Sequence, residues 1–287
     1  MRLITYHEHA GTAVGVLTGD GHLVPLPFGS MLDLIAAGES GLAVTREALA
    51  KGFQRRLEGV RLAAPIPAPR RNIFCLGWNY AEHSRESAAM RGKEAKLPNR
   101  PIFFTKATTS VLGPGETIPA HLGVTGQLDW EVELGVVLGK GGVDIPRAQA
   151  MDHVFGYTII HDVSARDVQS GHGGQFFKGK SLDGYCPMGP WLVTRDEIPD
   201  PHHLRLRCLV NGVVKQDSTT AELIFNVPAI IEWLSLGLTL LPGDIIATGT
   251  PAGVGFARKP PEFLKPGDVV QSEVEGIGVM RNRVCAV

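Results

Sequence analysis

Between Leu128 and Leu138 the chain reads Leu-Asp-Trp-Glu-Val-Glu-Leu-Gly-Val-Val-Leu, an apolar run that carries acidic residues at alternate positions. A second apolar run, Tyr157-Thr-Ile-Ile-His-Asp162, ends in another carboxylate. Both have the length and residue types of strands. Strand side chains alternate faces, so Glu131 and Glu133 share one side while Trp130, Val132 and Leu134 share the other. Nearer the N-terminus, Thr12–Leu17 and His22–Leu26 flank Gly19-Asp-Gly21 and predict a hairpin. Helices are expected near Met31–Ala37 and Thr45–Leu57. Ala63-Ala-Pro-Ile-Pro-Ala-Pro-Arg-Arg71 reads as an extended linker rather than packed structure. It divides a small N-terminal domain, residues 1–62, from a larger domain over 72–287. In the latter, Leu241-Pro-Gly-Asp and Lys265-Pro-Gly-Asp are turns that each feed a strand. One late helix starts at the N-cap Asn226, carries Pro228 in its first turn and stops at Gly237. Strands do not alternate regularly with helices, which excludes a doubly wound sheet and favours an α+β, mainly β architecture.

Composition narrows the function classes. A net charge of -1 over 287 residues leaves no excess of Lys and Arg for general nucleic-acid binding. Cys75, Cys186, Cys208 and Cys285 are scattered without metal-ligand spacing and read as reduced thiols of a cytoplasmic protein. No segment has the length and apolarity of a membrane span or a signal peptide.

The candidate chemistry begins with the glutamate pair. Like charges on adjacent same-face positions repel, and a hard cation such as Mg²⁺ or Ca²⁺ removes that cost. Asp162 would be a third oxygen ligand. Taken alone, Glu-x-Glu is more commonly the solvated face of an amphipathic strand. Asp162-Val-Ser-Ala-Arg-Asp-Val-Gln169, if helical, puts Asp162, Arg166 and Gln169 near one face; the alternative is a local Asp-Arg pair. His83 and Glu86 lie three apart on an expected helix, either as a dyad that makes His83 a general base or as surface charges. The polar segment 87–100 reads as a mobile lid. Ala247-Thr-Gly-Thr-Pro-Ala-Gly-Val-Gly255 offers backbone N–H groups and the hydroxyls of Thr248 and Thr250, or is a structural loop. Gly174-Gln-Phe-Phe-Lys-Gly-Lys-Ser181 matches the P-loop pattern. It lacks a preceding strand, and Gly184, Pro187, Gly189 and Pro190 exclude the helix that should follow. Lys180 keeps its interest as a cation in a flexible loop beside the carboxylates.

Glu131-x-Glu133 with Asp162, the Asp162–Gln169 segment, Gly179-Lys-Ser-Leu-Asp-Gly-Tyr-Cys-Pro-Met-Gly-Pro190 and Thr248-Gly-Thr-Pro-Ala-Gly-Val-Gly255 together resemble the fumarylacetoacetate hydrolase family over about residues 70–287. The resemblance implies a mixed β-sandwich or β-roll catalytic domain, usually paired as a homodimer, behind a smaller variable N-terminal domain. It implies Mg²⁺, Mn²⁺ or Ca²⁺ on Glu131, Glu133 and Asp162, a His83–Glu86 dyad on a closing lid, an active-site Lys180, and substrate contacts from Arg166, Gln169 and Thr250. His161 and Trp78 depart from the family pattern. Each is positioned to reshape the pocket, with a core role the simpler reading of His161.

The reaction expected first is hydrolytic C–C cleavage of a β-diketo acid such as an acylpyruvate, with His83 activating water. Decarboxylation of oxaloacetate-like acids, tautomerisation of hydroxymuconate-type dienes and non-catalytic oxo-acid binding are the alternatives. Residues that read the substrate's tail are expected within 87–100 and 171–177.

Overall fold

The computed structural model describes residues 1–9, 11–51, 55–90, 92, 94 and 96–287. Its strands form a long mixed sheet, a five-stranded sheet and a two-stranded ribbon, an α+β fold that is mainly β. Across the long sheet the order is Arg55–Arg56, His22–Pro25, Gly11–Leu17, Arg2–Glu8, Cys186–Thr194, Val154–His161, Val132–Leu138, Ile245–Ala247, Ile73–Gly77 and Ile102–Lys106. Val111–Leu112 pairs with the Cys186–Thr194 strand off this path. The five-stranded sheet contains Val213–Thr219, Arg205–Val210, Val269–Val274, Gly278–Cys285 and Thr117–Pro119, in that order. The main core is packed where these two sheets face each other, around Trp130, Val132, Leu134, Leu206 and Val270.

The N-terminal hairpin forms as expected, and α1 spans Met31–Ala36, capped by the Ser30 hydroxyl, which accepts from Asp33 N. The next helix, α2, spans Gly38–Lys51, so it begins earlier than expected. Gly41 explains the difference: a β-carbon there would lie 2.7 Å from Leu34 O, so close packing on α1 outweighs glycine's poor helix propensity. The expected continuation to Leu57 is wrong at its end. Arg55–Arg56 is a short strand paired with His22 and Leu23, and residues 52–54 lie outside the described set.

The Pro-rich stretch is extended, yet it is packed rather than a free spacer. Ala63 N donates to Thr5 O at 2.9 Å, the Thr5 hydroxyl donates to Pro65 O at 2.7 Å, and Ala63, Ala64 and Ile66 are buried. The strand Arg2–Glu8 pairs with Cys186–Thr194, so the first residues extend the same sheet that carries Glu133. Both Pro-Gly turns feed strands and share one device. Asp244 Oδ2 accepts from Leu241 N at 2.7 Å, and Asp268 Oδ2 accepts from Lys265 N at 2.9 Å.

Three further helices frame the site. Helix α3 spans Ala81–Met90, α4 spans Arg166–Gly171 and α5 is the single turn Phe177–Lys180. The late helix, α6, spans Val227–Ser235, with the Asn226 side chain accepting from Ala229 N. Among the described residues no helix is long and apolar enough to cross a membrane.

Candidate active site

The alternation read from the sequence holds, but both faces are buried. Strand pairing breaks at Trp130–Glu131, between Leu128–Asp129 and Val132–Leu138. Trp130, Val132 and Leu134 enter the core, and Glu131 and Glu133 enter the opposite side at 3% and 1% exposure. A solvated acidic face is therefore excluded. Asp162 follows the neighbouring strand and is fixed beside the pair by its N–H, which donates to Glu131 O at 2.8 Å. One carboxylate oxygen from each of Glu131, Glu133 and Asp162 lies within 4.8 Å of the others.

Three buried cations answer these carboxylates. Lys180 Nζ donates to Glu131 Oε2 at 2.7 Å and to Asp162 Oδ2 at 2.8 Å. Lys106 Nζ donates to Asp162 Oδ1 at 2.5 Å, and Arg166 donates to Glu131 Oε1 at 2.5 Å. Burial pushes the Glu131 carboxyl upward, but Lys180, Arg166 and His83 outweigh it and hold the group well below the usual carboxylate range. Burial lowers the affinity of Lys180 for its proton, yet Asp162 and Glu131 more than offset this and raise its pKa. Glu133 is treated differently. Burial, then repulsion from Asp162 and Glu131, pushes its pKa well up, and Gly249 N supplies a hydrogen bond at 2.7 Å. Gly249 has φ +102°, and a β-carbon there would lie 2.8 Å from the Asn79 β-carbon, so only glycine brings this N–H to Glu133.

With Asp129 included, four carboxylates meet three cations, so ionising Glu133 leaves one surplus negative charge in a buried space. Three converging oxygen donors and a carboxylate that resists ionisation beside its neighbours are the chemistry of a hard divalent cation site. The residues fit such an ion.

Lys180 is not on a flexible loop, as expected, but ends α5, and the glycine beside it explains the P-loop lookalike. A β-carbon at Gly179 would lie 2.7 Å from Gln169 N and 2.8 Å from Ala165 O, so that glycine lets α5 press onto α4 and drive Lys180 inward. With one helical turn and no strand before it, the segment is not a phosphate loop. Arg166 and Gln169 share α4, and Arg166 Nη1 donates to Gln169 Oε1 at 3.3 Å. The expectation that Asp162 lies on the same helix is wrong, because the short strand Ser164–Ala165 intervenes.

The two residues read as a dyad also meet. His83 Nδ1 lies 2.8 Å from Glu86 Oε1 on α3, and Glu86 accepts from Gly253 N at 3.0 Å, which ties the helix to the Thr248–Gly255 loop. His83, Lys180, Glu131, Arg166, Gln169 and Thr250 line one narrow cleft, with Ser87, Leu76, Gly77 and the rings of Trp78, Phe104, Phe176 and Phe256 as its other walls. The Thr250 hydroxyl is engaged by the scaffold: it donates to Val132 O at 3.0 Å and accepts from Gln216 Nε2 at 2.8 Å. Trp78, at φ +53°, meets Phe176 edge to face at 5.7 Å between centroids, and Phe176 meets Phe104 at 5.3 Å. His161 does not line the cleft. Its Nδ1 lies 2.9 Å from Ser272 Oγ, and burial pushes its pKa down to about 3, so it is a neutral core histidine. The expected lid, residues 87–100, begins inside α3, and residues 91, 93 and 95 fall outside the described set.

Two residues of the site escaped sequence reasoning. Lys106 ends an unremarkable strand, and nothing in its neighbourhood signals a role. Asp129 precedes the Glu-x-Glu pair and was legible only as one more acid in the run. Wholly buried, it accepts from Gly255 N at 2.6 Å, Phe256 N at 3.1 Å and Arg166 Nε at 2.8 Å. It thus holds Arg166 in register with the Thr248–Gly255 loop. Asp129→Ala leaves Arg166 with Glu131 as its remaining carboxylate and strands the N–H groups of Trp130, Gly255 and Phe256, and is expected to cost about 3–5 kcal/mol of stability. Chemical denaturation checks this; a loss under about 1 kcal/mol contradicts the role.

A two-sheet, mainly β fold thus sets Glu131, His83, Lys180 and Arg166 along one cleft, with Glu86 bonded to His83 and with Glu133 and Asp162 clustered on Glu131 as a triad that could hold a metal ion. The chain belongs to the fumarylacetoacetate hydrolase family: the profile described as "Fumarylacetoacetate (FAA) hydrolase C-terminal" matches residues 72–285. It is 45% identical to the oxaloacetate tautomerase YisK of Bacillus subtilis, over 89% of this chain and 86% of that one. The solved structure of a fumarylacetoacetate hydrolase from psychrophilic Exiguobacterium antarcticum is 40% identical, with a TM-score of 0.88 over 100% of both chains. A maleylpyruvate hydrolase from Sphingobium sp. SYK-6, solved with manganese(II) and pyruvate, is 29% identical, with a TM-score of 0.80 over 100% of this chain and 99% of that one.

Proposed function

We propose that this protein is a divalent-metal-dependent tautomerase of a small 2-oxo diacid of the oxaloacetate kind, interconverting its enol and keto forms. The observation that carries the reading is the narrow cleft that His83, held by Glu86, lines together with Glu131 of the carboxylate triad. The cleft is narrow and has four aromatic rings in its walls, which suits a small acid better than an extended acylpyruvate. The similarity to an oxaloacetate tautomerase supports the same choice, in preference to the hydrolytic cleavage expected first.

Glu131, Glu133 and Asp162 would hold Mg²⁺ or Mn²⁺. When bound, the ion supplies Lewis-acid stabilisation of negative charge on the 2-oxo oxygen. Arg166 and Lys180 supply positive charge at the cleft wall for the substrate carboxylate. Glu86 accepts from His83 Nδ1–H, which fixes the tautomer and leaves Nε2 as the base. In the keto-to-enol direction Nε2 takes a proton from C3, the C–H electron pair becomes the C2=C3 bond, and the 2-oxo oxygen takes a proton from water. The reverse direction returns the proton from the imidazolium to C3. The aromatic walls keep bulk water from the reacting carbons.

The test is ultraviolet-monitored ketonisation of enol-oxaloacetate with Mg²⁺ or Mn²⁺ and again with chelator, beside acylpyruvates and hydroxymuconate analogues. Metal-dependent ketonisation, lost on chelation and faster than turnover of the other substrates, is expected. Faster release of pyruvate from an acylpyruvate would replace the reading with hydrolysis.

A further inference from the structure

Ser87 has no assigned role, yet its surroundings are unusual. It lies on α3, lines the cleft and is only 3% exposed, and its Oγ has no hydrogen-bond partner among the described residues. A serine inside a helix commonly spends its hydroxyl on the carbonyl four residues back. Here that bond is not made. Among the described residues, none of the others with a buried, unpartnered side-chain polar atom lines the cleft. A buried polar group without a partner costs stability unless a ligand or water satisfies it.

Its position says which part of a ligand it meets. Ser87 is four residues after His83, so the two side chains are neighbours on one helix face, about 6 Å apart along the axis. His83 and Glu131 of the carboxylate cluster line the same cleft. A 2-oxo acid with its oxo end at that cluster and C3 at His83 can turn its remaining carboxylate toward Ser87, the neighbour on that helix face. The same cleft is lined by four aromatic rings and by the charged and polar side chains described above. The Thr250 hydroxyl is engaged by the scaffold, so Ser87 offers the free hydroxyl of the cleft and selects a ligand with a polar atom beside it.

We propose that Ser87 is a substrate-binding residue whose hydroxyl donates to the distal carboxylate of a four-carbon oxo diacid, and so sets the preference for a diacid over a monoacid. This rests on the oxo-acid reading of the cleft given above. The residue acts on binding and not on proton transfer.

The experiment is calorimetric titration of the Mn²⁺-loaded protein with two probes that need no turnover. They are pyruvate, which lacks the distal carboxylate, and 3,3-difluorooxaloacetate, which has it and cannot enolise at C3. Ser87→Ala is expected to weaken difluorooxaloacetate about tenfold, the worth of a hydrogen bond to a charged group, while pyruvate changes less than twofold. Ser87→Thr, which keeps the hydroxyl, is expected to keep the ratio of the two affinities even if both shift. The metal-free Ser87→Ala protein should melt at or above the wild-type temperature, because it no longer buries an unpaired hydroxyl. Equal weakening of both probes, an unchanged affinity ratio in Ser87→Ala, or a ratio lost in Ser87→Thr overturns the assignment. If neither probe binds the wild type, the oxo-acid reading itself fails. If both bind and Ser87→Ala keeps the ratio, only the role of Ser87 fails.

Discussion

Glu133→Gln is expected to raise the melting temperature of the metal-free protein by about 2–4 °C. It should also abolish stabilisation by Mg²⁺ or Mn²⁺ and cut turnover on the order of a thousandfold. The two effects have opposite signs because Glu133 stands in opposite situations with and without a cation. In the metal-free protein its charge is penalised by burial and by Asp162 and Glu131, and the nearby cations are engaged by its neighbours. An amide keeps an oxygen for Gly249 N–H and removes the repulsion. With a divalent ion, the same carboxylate is one of three converging oxygens, and an amide is a far poorer ligand. Glu131→Gln gives the contrasting result. Lys180 and Arg166 each lose a buried partner, so stability should fall by about 3–5 kcal/mol with or without metal. Paired melts with MnCl₂ and with chelator check both variants. A Glu133→Gln protein that is still stabilised by Mn²⁺ would exclude the triad as the metal site.

His83→Ala should lower kcat by about 10²–10⁴ while leaving Mn²⁺ affinity within a factor of two or three. His83 is positioned by Glu86 and contributes to the field at Glu131, but it is not among the three converging ligands. Glu86→Gln should give a smaller loss. It keeps an acceptor for the imidazole and weakens only the charge that favours the imidazolium. Mn²⁺ titration beside enol-oxaloacetate kinetics separates the roles. If His83→Ala retains full rate, the proton passes elsewhere. If it loses Mn²⁺, His83 belongs to the metal site.

How much was legible in the sequence follows from what each feature depends on. The strand around Glu131 and Glu133, the capped helix after Asn226, the hairpin and the two Pro-Gly turns were readable because alternation, capping and turn chemistry act over a few residues. The three-residue spacing of His83 and Glu86 is equally local, and helix geometry alone puts them in contact. The early start of α2 was hidden because Gly41 argues against a helix locally and is explained only by Leu34 of another helix. The same holds for Gly179: its letters spell a phosphate loop, while its packing serves the approach of α5 to α4.

By itself, then, the sequence determined the alternation that sets Glu131 beside Glu133, the dyad, and an ordered set of motifs pointing to one family. Tertiary structure alone decided that the glutamates are buried rather than solvated. It also decided that Lys106 and Asp129 complete the charge balance, that four aromatic rings narrow the cleft, and that the Ser87 hydroxyl is left without a partner inside it. The physical reason is range. Periodicity and capping are set by neighbours a few residues apart, whereas Lys106 meets Asp162 across 56 residues and Asp129 meets Gly255 across 126. Burial and charge compensation depend on which distant segments the fold brings to the same place.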